Sequence, residues 1–175
     1  VFDFSIESLG PCTIQSPIKF SLEHGDFTAN YVSDDSYVIN NINIYNTKDA
    51  IKLDSSNLIQ KAGPREKIYF DPKHAKAGIC TCGGLCPGLN DVIRAIVRCL
   101  NTRYGVKTIK GYQYGFHGFF ADSGYEPIEL DRYLIDEIHK IGGTYLGTSR
   151  GGGQRTSEIV DCLERDGINM LFIIG

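Results

Sequence analysis

The 175-residue sequence predicts an α/β fold, in which a doubly wound, mostly parallel sheet follows an N-terminal extension of short strands and loops. Two observations support this prediction. From residue 76 onward, apolar runs alternate with amphipathic runs of helical length, as in successive strand–helix units. Residues 1–73, by contrast, are rich in Ser, Asn and Asp and show only short period-two stretches. We therefore expect an extension at residues 1–73 and the first part of an α/β domain at residues 74–175.

Composition indicates a globular protein and argues against several functional classes. The chain is 42% hydrophobic and 22% charged, with a formal net charge of -3. Because no basic stripe is present, we expect no nucleic-acid partner. No apolar run approaches the roughly 20 residues that span a bilayer, so we expect no membrane partner. The first residues contain no basic or apolar leader segment, which favours a cytoplasmic location.

The extension is predicted to contain short strands separated by turns. Ser36–Ile39 and Ile42–Tyr45 show the alternation of a half-buried strand. Ala62–Pro64 then interrupts the chain, and Lys67–Phe70 is interpreted as one more strand before Asp71–Pro72 turns it. The predicted boundary between the extension and the α/β domain follows this turn.

The α/β part is predicted to alternate strands and helices. The predicted elements are a strand at Lys76–Thr81, a helix to about Asn101, a strand at Thr108–Tyr112, a helix from Asp131 to about Lys140 that Gly142 and Gly143 stop, a helix capped by Thr156 or Ser157 that ends at Arg165–Gly167, and a strand at Met170–Ile174. The last strand is almost wholly apolar, which is typical of a buried parallel strand. Ligands bind beyond the carboxyl ends of such strands, and the chain stops there, so we expect a longer polypeptide beyond Gly175.

A glycine-rich loop, Cys82–Asn90, joins the first strand of this part to its helix. Gly83 and Gly84 lack Cβ atoms, so the backbone can approach an anion closely while the unpaired N–H groups of the following helix point at it. Pro87 suits the first turn of that helix. We interpret the loop as a phosphate-binding loop, with a glycine turn chosen only for tight packing as the alternative. It matches neither the Walker A pattern nor the GxGxxG pattern.

A second glycine-rich segment, Gly142–Gly151, places Arg150 on a loop after a predicted strand. The fixed fork of an arginine suits phosphoryl oxygens, and its permanent charge could stabilise a phosphoryl-transfer transition state. Arg155, five residues later, could reach the same anion. The alternatives are an ordinary surface arginine at residue 150 and a solvated charge near a helix start at residue 155.

Two further patterns admit both a binding and a structural interpretation. Aromatic residues alternate with glycines at Gly111–Phe120, where a ring could stack on a purine or pack under the loop. Arg94 and Arg98 share one helix face, with Asp91 one turn before Arg94. This face could bind an anionic effector, although an ion-paired or solvated face is the more ordinary interpretation.

The six cysteines are unevenly spaced, which favours reduced thiols over a disulfide framework. Cys80, Cys82 and Cys86 are close in sequence, but they lack the spacing of a zinc site. Cys86 is the candidate for a reactive thiol, because a helix N-terminus favours thiolate. No chemistry is assigned to the scattered histidines, which are His24, His74, His117 and His139.

Taken in order, several segments make the chain similar to the phosphofructokinase family. The matching segments are residues 77–90, 92–94, 115–118, 143–150 and 173–175. The likeness covers about residues 63–175. It is strongest to the branch found in plants, trypanosomatids and some bacteria, because residues 63–70 precede the first strand and Gly-Gly-Leu-Cys-Pro-Gly-Leu-Asn replaces an acidic loop. The first 60 or so residues resemble the N-terminal extension of that branch more loosely.

The resemblance implies a three-layer α/β fold and a 6-phosphofructokinase activity in glycolysis. Such an enzyme transfers a phosphoryl group from ATP to the 1-hydroxyl of fructose 6-phosphate with Mg²⁺. Pyrophosphate as the donor, and a noncatalytic nucleotide-binding subunit, remain alternatives. The resemblance also implies a homo-oligomer, either a dimer or a tetramer.

The resemblance further assigns residues to the site. Gly83 and Gly84 would offer main-chain amides to the donor, and Gly84 matches the loop glycine that meets the nucleotide phosphate. Arg150 matches the catalytic arginine that bridges the phosphoryl donor and the sugar phosphate. Gly151 matches a neighbouring nucleotide contact.

Other matches are looser. Arg155 falls where the family has a second nucleotide-contacting arginine, and Phe116 falls where relatives often carry tyrosine beside the nucleotide. Arg94 and Arg98 match arginines of the bacterial effector site. The metal-binding and base aspartates would follow Gly175, so no metal ligand is assigned within the chain, and we expect residues 1–175 alone to be inactive.

Overall fold

The computed structural model describes residues 3–20, 30–41 and 55–175. The chain forms two compact units, Val1–Phe70 and Asp71–Gly175. Two features discussed above, the predicted strand at Ile42–Tyr45 and His24, lie outside the described residues.

The described residues of the first unit form two small antiparallel pairs of strands. The strands are β1 (Ile14–Gln15), β2 (Tyr37–Ile39), β3 (Leu58–Gln60) and β4 (Lys67–Ile68). β1 pairs with β4, and β2 pairs with β3. The strand predicted from the alternation at Ser36–Ile39 is confirmed over its last three residues. The strand predicted at Lys67–Phe70 is shorter, because it loses its partner after Ile68.

The second unit is built on a four-stranded sheet with the order β7-β6-β5-β8. Its strands are β5 (Lys76–Thr81), β6 (Thr108–Tyr112), β7 (Ile128–Glu129) and β8 (Met170–Ile174). β5 is parallel to both β6 and β8. β7 was not predicted, and it runs antiparallel to β6. The three parallel strands match the predicted bounds, with mostly apolar runs in β5 and β8 and with Ile109 and Tyr112 buried in β6.

The helix after β5 begins later than predicted. α1 covers Leu89–Arg98, and a π-helical turn continues the chain over Cys99–Tyr104. Gly88 occupies the N-cap position with a left-handed φ of 89°. Pro87 therefore lies before the first turn of α1, whereas the sequence had predicted it to be part of that turn. The glycine N-cap offers no side chain to the first-turn N–H groups, so these remain open to another acceptor.

The second helix, α2 (Thr156–Asp166), ends as predicted at a left-handed glycine with φ 68°. The predicted caps are wrong. Neither Thr156 nor Ser157 is the N-cap, because the helix already includes both and Arg155 precedes it without a side-chain capping bond. The Thr156 hydroxyl instead donates a hydrogen bond to the Gly153 carbonyl, at 3.1 Å.

The helix predicted from Asp131 to about Lys140 is also wrong. Asp131 Oδ1 accepts hydrogen bonds from the N–H groups of Tyr133 and Leu134, both at 2.8 Å. These bonds are the pattern of an N-cap, and the Ile135 N–H donates to the Asp131 carbonyl at 3.2 Å, but the chain leaves the helical path after this one turn. Only a short 3₁₀ turn, Ile138–Lys140, forms before Gly142 and Gly143.

Residues of β5 alternate between two apolar clusters, one on each face of the sheet. Ala77 and Ile79 pack in a cluster with Ile93 of α1. Cys80 packs in the other cluster with Ile159 of α2. Because β5, β6 and β8 are parallel, their carboxyl ends share one edge of the sheet, and the loops that leave them meet there.

Candidate functional site

Three loops meet at the carboxyl edge of the sheet. They are the glycine loop after β5 (residues 82–88), the aromatic loop after β6 (residues 113–120) and the arginine loop before α2 (residues 147–153). Cys82 forms a parallel bridge with Ser149, and the Gly83 N–H donates to the Ser149 carbonyl at 2.8 Å. The Cys82 N–H donates to the Ile174 carbonyl at 2.8 Å. Two of the predicted motifs are therefore hydrogen-bonded to each other.

The glycine loop has an open surface and a left-handed backbone. Gly83 has φ +85°, and a Cβ atom added there or at Gly88 would have no neighbour within 4 Å. These two glycines are thus explained by backbone conformation and not by tight packing. Residues 84–88 are exposed, whereas Leu89 and Asn90, the first two residues of α1, are buried. Such a surface suits an anion.

Arg150 lies directly against this loop. A Cβ atom added at Gly84 would be 3.4 Å from Arg150 Nη2, so the guanidinium lies beside Gly84. Arg150 is exposed, and within the described residues it forms no ion pair or hydrogen bond through its side chain. The structure therefore brings together Gly83, Gly84 and an arginine whose charge is not offset by a carboxylate.

Hydrogen bonds of three threonine hydroxyls hold the arginine loop in place. Thr81 is fully buried, and its hydroxyl donates to the Gly147 carbonyl at 2.5 Å while it accepts from the Thr144 hydroxyl at 3.0 Å. The Thr148 hydroxyl donates to the Gly83 carbonyl at 3.0 Å. These bonds fix the arginine loop on β5 and on the glycine loop.

Arg155 has a different environment from Arg150. Its guanidinium pairs with Asp122 at 3.3 Å and with Glu158, and it stacks 3.8 Å above the Phe120 ring centroid. The hydrogen bond to Glu158, and then the one to Asp122, raise the pKa of Arg155 above its ordinary value. Two carboxylates already offset the charge of this arginine, so Arg155 is an ion-paired charge at the start of α2 and not a solvated one.

Phe116 lies against the glycines that follow Arg150. A Cβ atom added at Gly152 would be 3.0 Å from Phe116 Cβ, and one at Gly153 would be 3.5 Å from its ring. Phe116 is half-buried, whereas Gly151 is exposed with φ +84°. Phe119 stacks on Tyr112 with ring centroids 4.1 Å apart. Part of the aromatic loop thus packs in the core, and Phe116 keeps an accessible surface beside the arginine loop.

The two arginines of α1 are ion-paired. Arg94 Nε donates to the Asp136 carbonyl at 3.1 Å, and Arg94 Nη2 lies 3.4 Å from Asp136 Oδ1. Arg98 Nη1 lies 3.7 Å from the same carboxylate oxygen. The ion-paired interpretation of this face therefore holds in the structure, with Asp136 as the partner instead of Asp91.

Asn90 was not singled out from the sequence, yet it connects the site to the rest of the unit. Its side chain is buried, and it donates to the carbonyls of Ile138 at 3.0 Å and Ile141 at 2.9 Å. Its Oδ1 accepts from the Tyr145 N–H at 2.6 Å. The signal for this role was its helical spacing with Ile93, which places a polar residue on the apolar face of α1.

The cysteines of the chain form no disulfide bonds. All six cysteines belong to the described residues and are free. Burial raises the pKa of the Cys80 thiol, which lies 3.9 Å from the Cys82 sulfur, while Cys86 is exposed.

Residues 3–20, 30–41 and 55–175 contain no group of three acidic, cysteine or histidine side chains that could hold a metal. None of the helices in this part of the chain combines the length and apolar character needed to cross a bilayer.

Comparison with known proteins finds a family match over most of the second unit. The phosphofructokinase family model matches residues 76–175. An ATP-dependent 6-phosphofructokinase from Borreliella burgdorferi is 47% identical over 174 residues, which cover 99% of this chain and 38% of that protein. The chloroplastic ATP-dependent 6-phosphofructokinase 5 of Arabidopsis thaliana is 56% identical over 117 residues, or 67% of this chain and 21% of that protein.

A third relative, an ATP-dependent 6-phosphofructokinase from Trypanosoma cruzi, is 47% identical over 118 residues, covering 67% of this chain and 24% of that protein. The chain thus spans 38% of the length of the Borreliella relative and smaller shares of the other two. The match takes in the glycine loop, the aromatic loop and the arginine loop, and the chain belongs to the phosphofructokinase family.

Proposed function

We propose that this chain forms the nucleotide end of an ATP-dependent 6-phosphofructokinase, which phosphorylates the 1-hydroxyl of fructose 6-phosphate. The relatives reported above all carry ATP-dependent 6-phosphofructokinase in their names, in bacteria, plants and trypanosomes. The observation that carries the proposal is the position of the Arg150 guanidinium beside Gly84, where an added Cβ atom would lie 3.4 Å from Nη2, next to a helix N-terminus that has no side-chain cap. An unpaired fork and free main-chain amides are what a transferring phosphoryl group requires.

In this mechanism the chain positions the donor and stabilises charge. The Gly84 N–H and the first turn of α1 bind the phosphate oxygens. The Gly83 N–H, which the sequence had also assigned to the donor, already donates to the Ser149 carbonyl, so Gly83 contributes through its left-handed backbone and not through its amide. The guanidinium of Arg150 donates hydrogen bonds to the phosphoryl oxygens as negative charge spreads over them in the transition state. The guanidinium keeps its positive charge throughout the reaction. Phe116 and the Gly151 backbone are proposed to contact the nucleotide from the arginine loop.

The proposal assigns Arg155 a more limited role. Its charge is offset by Asp122 and Glu158, so a nucleotide would have to compete with two carboxylates for the guanidinium. We propose that Arg155 contacts the nucleotide at the edge of the site and contributes less than Arg150. The same carboxylates would orient its guanidinium over the Phe120 ring.

Several parts of the proposal extend beyond this chain. Mg²⁺ would neutralise donor phosphates, but the described residues offer no ligand group that fits it. From the family resemblance we propose that the metal ligands and the base toward the sugar hydroxyl belong to other segments of the complete protein, and that residues 1–175 alone have no turnover. A three-layer fold is supported by apolar clusters on both faces of β5. A cytoplasmic location is supported by the free thiols, and a homo-oligomer is proposed from the family resemblance.

The proposal is tested with the full-length protein, fructose 6-phosphate, Mg²⁺ and either ATP or pyrophosphate. ³¹P NMR of the products should show a new phosphomonoester at the 1-position with ATP, together with ADP. Turnover with pyrophosphate and none with ATP would replace the proposal by the pyrophosphate-dependent reaction. ATP binding without turnover for either donor would support a noncatalytic nucleotide-binding subunit.

A further inference from the structure

The Ser149 hydroxyl connects two of the loops that form the site. Ser149 Oγ lies 2.6 Å from the Tyr114 carbonyl oxygen and 2.7 Å from His117 Nδ1. A carbonyl can only accept, so the single hydroxyl proton goes to Tyr114. His117 Nδ1 must then carry a proton and donate it to Ser149 Oγ. The neutral Nδ1–H form and the imidazolium form both meet this requirement.

The aromatic loop is tightly held where it meets Ser149. Tyr114 has a left-handed φ of 55°, which is an unusual conformation for a bulky residue, and its N–H donates to the Leu146 carbonyl at 2.9 Å. A Cβ atom at Gly115 would lie 3.0 Å from the Thr81 carbonyl oxygen and 3.3 Å from Ser149 Oγ. The strained backbone persists because its surroundings determine it from several sides.

Ser149 is also the residue that sets the place of Arg150. Its carbonyl accepts the Gly83 N–H at 2.8 Å, and Arg150 follows it directly in the chain. A single residue therefore contacts the glycine loop through its main chain and the aromatic loop through its side chain. Movement of Ser149 would change the distance between the Arg150 guanidinium and the Gly84 backbone.

We propose that His117 is a positioning residue for phosphoryl transfer: it donates to Ser149 Oγ and thereby holds Arg150 at the glycine loop. The inference rests on the proposed function. His117 itself need not touch the donor, and its effect is exerted through Arg150. Since small misplacements of a catalytic group are costly, we expect loss of the His117 bond to act mainly on kcat.

The test compares His117→Ala and His117→Asn in the full-length enzyme. His117→Ala should lower kcat about 10-fold while changing the KM for fructose 6-phosphate less than about 3-fold. His117→Asn should recover most of the loss, because its side-chain amide can donate from near the Nδ1 position. His74→Ala is the matched control, since the His74 side chain is 84% exposed and pairs only with Asp71 among the described residues.

The decisive measurement is non-additivity. In an Arg150→Ala background, His117→Ala should lower kcat less than about 2-fold, because its effect passes through Arg150. The inference is overturned if His117→Ala lowers kcat equally in the wild-type and Arg150→Ala backgrounds. It is also overturned if Arg150→Ala lowers kcat but His117→Ala alone does not. Both results leave the proposed function intact. If His117→Ala lowers the melting temperature, two other variants decide the question. A kcat loss in Ser149→Ala that matches that of His117→Ala, together with recovery of kcat in His117→Asn, supports the inference. Any other result with these two variants overturns it. An inactive wild-type enzyme overturns both proposals.

Discussion

Two arginine-bearing regions of the second unit look alike in sequence but differ in the structure. At the glycine loop, the Arg150 guanidinium lies beside Gly84, and the described residues provide it with no carboxylate. On α1, Arg94 and Arg98 converge on the single carboxylate of Asp136, at 3.4 and 3.7 Å. All three side chains are arginines, but among the described residues only Arg94 and Arg98 have a carboxylate partner.

The difference shows that an unpaired charge is more informative about binding than the presence of an arginine. A phosphate approaching Arg94 must displace Asp136 or share the arginine with it, whereas a phosphate approaching Arg150 meets an unpaired fork and free N–H groups. Arg155, with two carboxylates, resembles the α1 region although it is close to Arg150 in sequence. Each prediction below tests how far this distinction holds.

The largest effect is expected at Arg150. Arg150→Ala in the full-length enzyme should lower kcat by a factor corresponding to about 2.7 to 4 kcal/mol, as for other lost donors to developing charge. Steady-state kinetics with ATP measures this loss. Arg103→Ala is the control, because Arg103 is exposed at the end of the π-helical turn. If both variants keep wild-type rates, the distinction between paired and unpaired arginines has no catalytic meaning.

The next effect is expected at Asn90, which lies between the two regions. Asn90→Ala leaves the buried carbonyls of Ile138 and Ile141 and the Tyr145 N–H without their partner. We expect a loss of about 1–3 kcal/mol in the free energy of unfolding. Hydrogen exchange of residues 138–145, with exposed Gln154→Ala as the control, measures it. Unchanged protection there would mean that Asn90 does not hold this segment.

A third effect concerns a paired charge at the C-terminal end of α2. Burial favours the protonated form of Asp166, but hydrogen bonds from Tyr112, at 2.8 Å, and from Lys110 outweigh it and lower the pKa of this carboxyl. The stabilisation is therefore complete above the unfolded-state pKa of about 4 and is lost as the pH falls through the lower folded-state pKa.

Asp166→Asn should accordingly cost about 1.5 kcal/mol of stability at pH 7 and less at pH 3, with kcat unchanged. Denaturant unfolding at the two pH values measures the difference. Asp161→Asn, an exposed carboxylate on the same helix, is the control. A gap between Asp166→Asn and wild type that widens toward low pH would contradict the assigned sign.

The smallest effect is expected at Asp136. Its carboxylate is 57% exposed, and exposed ion pairs contribute about 0–1 kcal/mol, so Asp136→Ala should change stability by no more than that and leave kcat unaltered. Thermal unfolding and steady-state assays of the full-length enzyme check both. A large loss of activity would remove the contrast between the α1 region and the glycine loop.

Much of the fold could be predicted because local patterns decide it. The bounds of β5 and β8 follow from mostly apolar runs, and the end of α2 follows from a glycine that can adopt a left-handed φ. The glycine loop was also recognisable, since Gly83 requires such a conformation regardless of what surrounds it.

The failures arose where a local pattern does not fix the length or the position of an element. The amphipathic pattern after Asp131 predicted a helix, and the Asp131 carboxylate does cap a first turn there, but the turn does not continue. The glycine at position 88 displaced the start of α1 past Pro87. The two-residue β7 was too short to have a periodic signal, and its pairing with β6 depends on the tertiary fold.

The sequence by itself determined which residue types stand at the ends of which strands, and hence that an anion-binding edge with glycines and arginines should exist. Only the tertiary structure decided which arginine is unpaired, that Asn90 joins segments 48 to 55 residues away, and that Ser149 connects two loops. The physical reason is distance. Ion pairs and hydrogen bonds act over a few ångströms in space, and separation along the chain does not reveal which groups the fold brings within that range.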